Sequence, residues 1–294
     1  MRNVTVAATQ MECGIDSDKN IANAEKLIRE AAAKGANIIL IQELFATQYF
    51  PQIEDYKYLK LAKPAEGHLM LRRFSELAKE LGVVIPISFF EESGLCRFNA
   101  TMVIDADGTE MGIYRKTHIP DDPGYYEKFY FSPGNTGFKV WDTKFGKIGI
   151  GICWDQWYPE AARVMVLKGA EMLLYPTAIG TAAGPKEKVT KEELKYRHWQ
   201  NVMLGHGAAN RVPVISSNRI GVEEIGGTAI KFWGASFISN SIGDIVAEAN
   251  LDDEAVITAS FDLDELAIFR RECCIFRDRR PECYGTIMTL DGER

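Results

Sequence analysis

A glutamate, a lysine and a cysteine each stand where an apolar run stops: Glu43 after ANIILIQ, Lys116 after TEMGIYR and Cys153 after KIGIGI. A buried strand fixes its own backbone, and its end leaves a side chain free to meet a reactant. Singly, each residue has an ordinary explanation: a solvated strand end, a surface lysine, a small core hydrophobe. Together they make a set for cleaving an amide-like carbon–nitrogen bond. The thiolate of Cys153 is the nucleophile. A carboxylate beside it takes the thiol proton and later returns it to the leaving amine. The ammonium of Lys116 stabilises the oxyanion where it develops, with the backbone N–H of Trp154 as a second donor. No histidine is required, and His68, His118, His198 and His206 have no triad setting, which lowers a papain-like reading.

The elements that must position these residues follow from periodicity. Residues 4–11 alternate like a strand. Residues 18–34 place Ile21, Ala24, Leu27, Ile28 and Ala31 on one helical stripe, closed by Gly35. Residues 36–41 read as a short buried strand leading into Glu43, residues 66–81 as a helix, and VVIPISFF at 83–90 as the next strand. Residues 101–116 read as a hairpin turned by Asp107-Gly108, and 138–152 as another turned near 144–146. A helix at 159–168, a strand in EMLLYP, a surface loop at 180–191 and a helix at 190–210 come next. Strands in VPVISSNRIG, GASFISNS and AVITASFD and a helix in LDELAIFRRE complete the order. Helices alternate with strands, but hairpins interrupt the pattern. Two mixed sheets packed together with helices outside use such hairpins; a purely parallel doubly wound sheet does not.

Composition narrows the function classes. A chain of 294 residues with 46% hydrophobic and 26% charged residues reads as globular, and no internal linker divides it. We expect one domain over 1–294 with a C-terminal tail from about 273. The net charge of −7, with only RDRR at 277–280 as a basic patch, argues against nucleic acid. No apolar run approaches the length of a membrane span, and no leader opens the chain, so a cytoplasmic protein is expected. Cys273, Cys274 and Cys283 form no CxxC pair and have no nearby histidine, so no metal is expected. Thiol chemistry asks for no cofactor.

The segments IIQELFATQYF, YRKTHIPDDPGYYEKFYFSPG, GIGICWDQWYPEAAR and YPTAIG resemble, in this order, the nitrilase superfamily. The resemblance runs from VAATQM to the last strand. It implies an α/β fold, a four-layer α-β-β-α sandwich of two mixed sheets with helices outside. It implies Glu43, Lys116 and Cys153 as the catalytic triad and Glu127, in GYYEKFYF, as a second glutamate beside it. Gln42 stands where many members have Pro; it only precedes the catalytic residue.

The triad does not select the substrate, because nitrilases and amidases share it. The HIPD and PGY segments resemble members that take a small cationic ureido substrate. Such a molecule needs a narrow apolar channel and an acceptor at its far end. Asp121 and Tyr125 are the acceptor candidates, with Asp122 and Tyr126 beside them. Tyr49, Phe50, Trp154 and Trp157 are candidate walls, and the resemblance puts Ala178 and Ile179 at the pocket border. A β-ureido acid or an ω-amide would instead call for an arginine. Two readings from other classes compete. One is a non-catalytic scaffold, against which the intact Glu, Lys and Cys argue. The other is a thiol sensor at Cys273-Cys274, where vicinal cysteines close only a strained ring. The expected assembly is a homo-oligomer built from dimers.

Overall fold

The computed structural model describes residues 1–183 and 192–293. In chain order the first half contains β1 (Asn3–Gln10), α1 (Ser17–Ala33), β2 (Ile38–Leu40), α2 (Leu69–Leu81), β3 (Ile85–Ser93), β4 (Cys96–Ile104) and β5 (Glu110–Arg115). Then come β6 (Val140–Thr143), β7 (Gly146–Ile150), α3 (Pro159–Leu167), β8 (Met172–Pro176), β9 (Gly180–Ala183) and α4 (Glu192–Asn210). The chain ends with β10 (Val214–Ser217), β11 (Ile220–Ile225), β12 (Thr228–Trp233), β13 (Phe237–Ser239), β14 (Ile245–Glu248), β15 (Ala255–Asp262) and α5 (Leu263–Glu272).

The second of two packed sheets has the order β14-β13-β10-β8-β7-β6, with β7, β8 and β10 parallel. The other joins β15-β1-β2 to β3-β4-β5 through a parallel bridge between Ile38 and Val84. The bridge is carried by Ile39 N–H to Val84 O at 2.9 Å and Val84 N–H to Asn37 O at 2.8 Å.

Alternation along the strands sorts side chains into layers. In β1, Val4, Val6 and Ala8 enter one core while Ala7 enters another. In β8, Met172 and Leu174 face the first sheet, whereas Leu173 and Tyr175 face α3 and α4. Three cores result. One lies between α1–α2 and the first sheet, one between the two sheets, and one between the second sheet and α3–α4. This is the expected α-β-β-α sandwich.

Both expected hairpins are present, β4–β5 around Asp107-Gly108 and β6–β7 around 144–146, and the structure adds two that were not expected. Residues 85–104 form one long hairpin, β3–β4, turned at Gly94 with φ 60°. A second, β11–β12, turns on Gly226-Gly227 with φ 59° and 84°. The surface loop expected at 180–191 is in part a strand: β9 pairs with β12, from Gly180 opposite Phe232 to Ala183 opposite Ala229. Gly180 is needed there, since a Cβ on it would lie 2.3 Å from Lys231 O. Residues 184–191 of that loop lie outside the described residues.

Candidate active site

Cys153 follows β7 at a sharp turn into a short 3-10 helix, Cys153–Trp157. Its φ is +42°, a left-handed conformation uncommon for a residue with a Cβ. The turn is tight: a Cβ on Gly151 would lie 2.9 Å from the Tyr175 ring. Cys153 is 3% exposed, and its Sγ faces Ala178 O at 3.9 Å. No backbone carbonyl among the described residues takes the N–H of Trp154, the first one past the sulfur.

Glu43, at the end of the segment that follows β2, Lys116, just past β5, and Glu127 are all fully buried and in contact. Lys116 Nζ donates to Glu43 Oε1 at 2.8 Å and to both oxygens of Glu127 at 2.8 and 2.6 Å. Asn99, on β4 beside Lys116, donates its Nδ2 to Glu43 Oε1 at 2.6 Å. Glu43 Oε2 is buried with no hydrogen-bond partner. Tyr49 donates its hydroxyl to Glu127 Oε1 at 2.5 Å.

The charges act on one another. Burial pushes the Cys153 thiol well above the usual thiol range; Glu43 and Glu127 push it further up, and Lys116 pulls it back in part. Cys153 therefore rests as a neutral thiol near neutral pH. Burial works against the Lys116 ammonium, but Glu127 and Glu43 outweigh it, so the lysine stays charged. Burial and the neighbouring Glu43 lift the Glu127 carboxyl, against the pull of Lys116.

A second buried pair holds the loop after Glu43. Arg219 donates to Glu43 O at 3.0 Å, Leu44 O at 2.6 Å and Thr47 O at 2.9 Å, and pairs with Glu223 at 2.7 Å. Glu223 in turn accepts the Tyr49 N–H at 2.5 Å. Within this loop Leu44 has φ +48° and its N–H is taken by Ser88 Oγ at 2.9 Å. One ion pair thus fixes the backbone carrying both Glu43 and Tyr49. Sequence reading did not find Arg219, Glu223 or Asn99. The available signal was polar residues interrupting strand runs, in SSNRIGVEE and RFNATMVI.

The other residues singled out in the sequence divide into two groups. Tyr125 bridges to Gly180, its hydroxyl donating to Gly180 O at 3.0 Å and accepting the Gly180 N–H at 2.9 Å. Its ring lies 5.6 Å from Tyr49, and the two share a cluster with Ala178 and Phe232. Ile179 is tied by both its backbone groups to Asn218 at 3.0 Å. Trp154 is partly exposed beside Cys153. Phe50 lies apart from this group, its ring stacked 5.3 Å from Phe90 and 4.9 Å edge-on from Tyr130. Trp157 turns toward His198 at 5.1 Å and lines a different hollow, against α3 and α4. Asp121 and Asp122 are exposed. All six cysteines are free thiols.

Residues 5–271 match the family model described as carbon-nitrogen hydrolase. An N-carbamoylputrescine amidase of Arabidopsis thaliana is 55% identical over 99% of this chain and 97% of its own. A citrullinase of Francisella tularensis is 47% identical over 98% of this chain and 99% of its own. A crystal structure of a carbon-nitrogen hydrolase from Helicobacter pylori superposes with TM-score 0.91 at 38% identity, covering 98% of this chain and 99% of that one.

Proposed function

The chain belongs to the carbon-nitrogen hydrolase family, the nitrilase superfamily, and from that premise we propose that it hydrolyses N-carbamoylputrescine to putrescine, carbon dioxide and ammonia. It is an amidohydrolase. The observation that carries the chemistry is the hydrogen-bonded Glu43–Lys116–Glu127 cluster, fully buried, with the buried Cys153 beside it. Similarity to amidases of the named substrate over nearly the whole chain supports the substrate.

On this reading Cys153 Sγ attacks the ureido carbon as Glu43 Oε2 takes the thiol proton. The carbonyl oxygen becomes an oxyanion facing the Lys116 ammonium and the Trp154 N–H. Collapse expels one nitrogen, which recovers the proton from Glu43, and leaves the carbon bonded to sulfur. Water, deprotonated by the same carboxylate, attacks that carbon and releases the thiol. The carbamic acid formed then loses carbon dioxide. Glu127 holds Lys116 by two hydrogen bonds and is itself held by Tyr49. Tyr49, Tyr125, Trp154, Ala178 and Ile179 border the substrate, and Asp121 receives its far ammonium.

The assembly proposed is a dimer or an oligomer of dimers. A hollow of about 1030 Å³ lined by Trp157, Val164, Leu167, Val202 and Ile287 supports a second copy as the occupant of that face. Free thiols suit a reducing compartment, and the cytoplasm is the proposed location. No described helix is long and apolar enough to cross a membrane.

The test is a steady-state comparison of N-carbamoylputrescine with L-citrulline, β-ureidopropionate and butyramide. N-carbamoylputrescine should give the highest kcat/KM. A higher value for any of the others overturns the substrate assignment and leaves the thiol chemistry standing.

A further inference from the structure

We infer that Asp155 is a positioning residue that locks the cysteine turn to the lysine strand, so that Cys153 Sγ and Lys116 Nζ meet the same carbonyl group. The inference rests on the catalytic roles proposed for Cys153 and Lys116.

Asp155 is fully buried. Its Oδ2 accepts the Ile152 N–H at 3.0 Å and the Tyr114 hydroxyl at 2.7 Å. Its Oδ1 accepts the His118 N–H at 3.0 Å and meets His118 Nδ1 at 2.7 Å. Ile152 directly precedes the nucleophile. Tyr114 and His118 stand two residues before and two after Lys116. One carboxylate therefore ties down both segments that present reacting groups.

The hydrogen bonds also enclose the strained residue. Asp155 N–H donates back to Ile152 O at 3.0 Å, so reciprocal Ile152–Asp155 bonds span Cys153 in its left-handed conformation. The His118 ring stacks on Tyr158, just past the end of the same turn, with centroids 3.6 Å apart and planes within 9°. The turn is thus joined to the lysine segment at its start, through Asp155, and at its end, through Tyr158. Among the described residues no Lys or Arg pairs with Asp155. A buried carboxylate without a fixed cation is a poor stabiliser compared with an apolar side chain of similar size. Its four contacts instead specify a geometry. Both oxygens are occupied, so Asp155 itself has no lone pair directed at a substrate proton.

The test is Asp155→Asn. The amide oxygen keeps the Ile152 and Tyr114 bonds, but its NH2 cannot accept the His118 N–H. Small displacements of reacting groups cost up to about 100-fold. We expect kcat to fall about 10- to 100-fold, with KM changed less than about three-fold, because substrate contacts remain. Mass-mapped alkylation by iodoacetamide should slow at Cys153 by a similar factor and stay unchanged at the exposed Cys96. A lower melting temperature with unchanged kcat and unchanged Cys153 alkylation reduces Asp155 to a structural role and overturns the inference. So does a kcat loss with Cys153 alkylation unchanged. Should Asp155→Asn fail to fold, Tyr114→Phe removes the bond to Oδ2 together with the hydroxyl contact to Thr117 Oγ1 at 3.0 Å, and Thr117→Val, which loses only that contact, is its control. Tyr114→Phe should show the same pattern at about three- to ten-fold, and a wild-type kcat for it overturns the inference. Cys153→Ala serves as the control. Activity in that variant refutes the catalytic reading itself, whereas an inactive Cys153→Ala beside a fully active Asp155→Asn refutes only the role of Asp155.

Discussion

Replacing Arg219 with Met separates what holds the site from what reacts in it. The guanidinium is fully buried and satisfies three carbonyls of the 43–47 loop and the Glu223 carboxylate, itself 3% exposed. Met fills similar volume but leaves Glu223 as a buried charge without its partner. Breaking such a pair from one side costs about 3–5 kcal/mol. At about 2–4 °C per kcal/mol for chains of this order, the melting temperature should fall by roughly 6–20 °C.

The loss should depend on pH in a defined direction. Burial already raises the Glu223 carboxyl above its ordinary value, with Arg219 opposing the rise. Without Arg219 it rises further. The folded state then binds a proton more tightly than the unfolded chain. Stability is therefore retained at low pH and lost as pH rises through the raised folded value. Calorimetry at pH 5.5 and pH 8 should show Arg219→Met closer to wild type at the lower pH. The double variant Arg219→Met/Glu223→Gln should recover part of the melting temperature but not the activity, because the carbonyls of Glu43 and Leu44 still lack their donor. A loss under about 1 kcal/mol, or a deficit that shrinks as pH rises, would refute the buried-pair argument. Full activity in the double variant would refute the claim that the pair positions Glu43.

Other expectations follow from the same geometry. Glu43→Gln should keep its fold and lose about 100- to 10,000-fold in kcat, since the amide cannot accept the thiol proton; near-wild-type turnover would remove Glu43 as base. In the free enzyme, alkylation at Cys153 should keep climbing with pH beyond 9, because burial and Glu43 hold the thiol high; a plateau below pH 8 contradicts a neutral resting thiol. Asp121→Asn should lower kcat/KM for N-carbamoylputrescine about two- to five-fold, as suits a pair made at an exposed carboxylate, and leave N-butylurea unchanged; equal effects on both remove its role as ammonium acceptor. Leu167→Glu, on the hollow that α3 borders, should shift the mass measured by light scattering toward the monomer; an unchanged mass places the interface elsewhere.

Much of this was legible in the sequence, for a physical reason. Strand alternation and the helical stripe of Ala24, Leu27, Ile28 and Ala31 are local consequences of burial, and the structure shows them where the pattern places them. Pairing is not local. The β3–β4 and β11–β12 hairpins depend on which strands meet, and β9 is a strand only because β12 lies beside it. The site divides the same way. Glu43, Lys116 and Cys153 announce themselves by following apolar runs. Glu127 does not, because it lies in a tyrosine-rich irregular loop and a short turn, and only the family resemblance pointed to it. Asn99, Arg219 and Glu223 look like stray polar residues within strands until the chain brings Glu43 to them. Phe50 looks like Tyr49 in sequence, yet the turn at 49–52 sends the two rings to different clusters.

On the proposed mechanism, the arrangement of charge explains why the thiol of Cys153 holds its proton in the empty site. With both carboxylates ionised, Glu43, Glu127 and Lys116 together carry one net negative charge, sealed from water. Ionising Cys153 in the empty site would add a second negative charge there, which is why burial and Glu43 push its proton affinity up. Attack on a carbonyl avoids that cost. The thiol proton goes to Glu43, and the negative charge that Glu43 gives up reappears on the oxyanion. Net charge within the buried volume stays constant through the step. The charge moves from a carboxylate that accepts hydrogen bonds from Lys116 and Asn99 to an oxygen that Lys116 and the Trp154 N–H can serve instead. Lys116 therefore need not change its own protonation, and two bonds to Glu127 keep it in place while its third partner changes. Removing the Glu127 charge should on this account ease ionisation of the thiol and loosen where the ammonium points. Glu127→Gln should lower kcat while the pH dependence of Cys153 alkylation moves toward lower pH, not higher, because a charge that raised the thiol is gone.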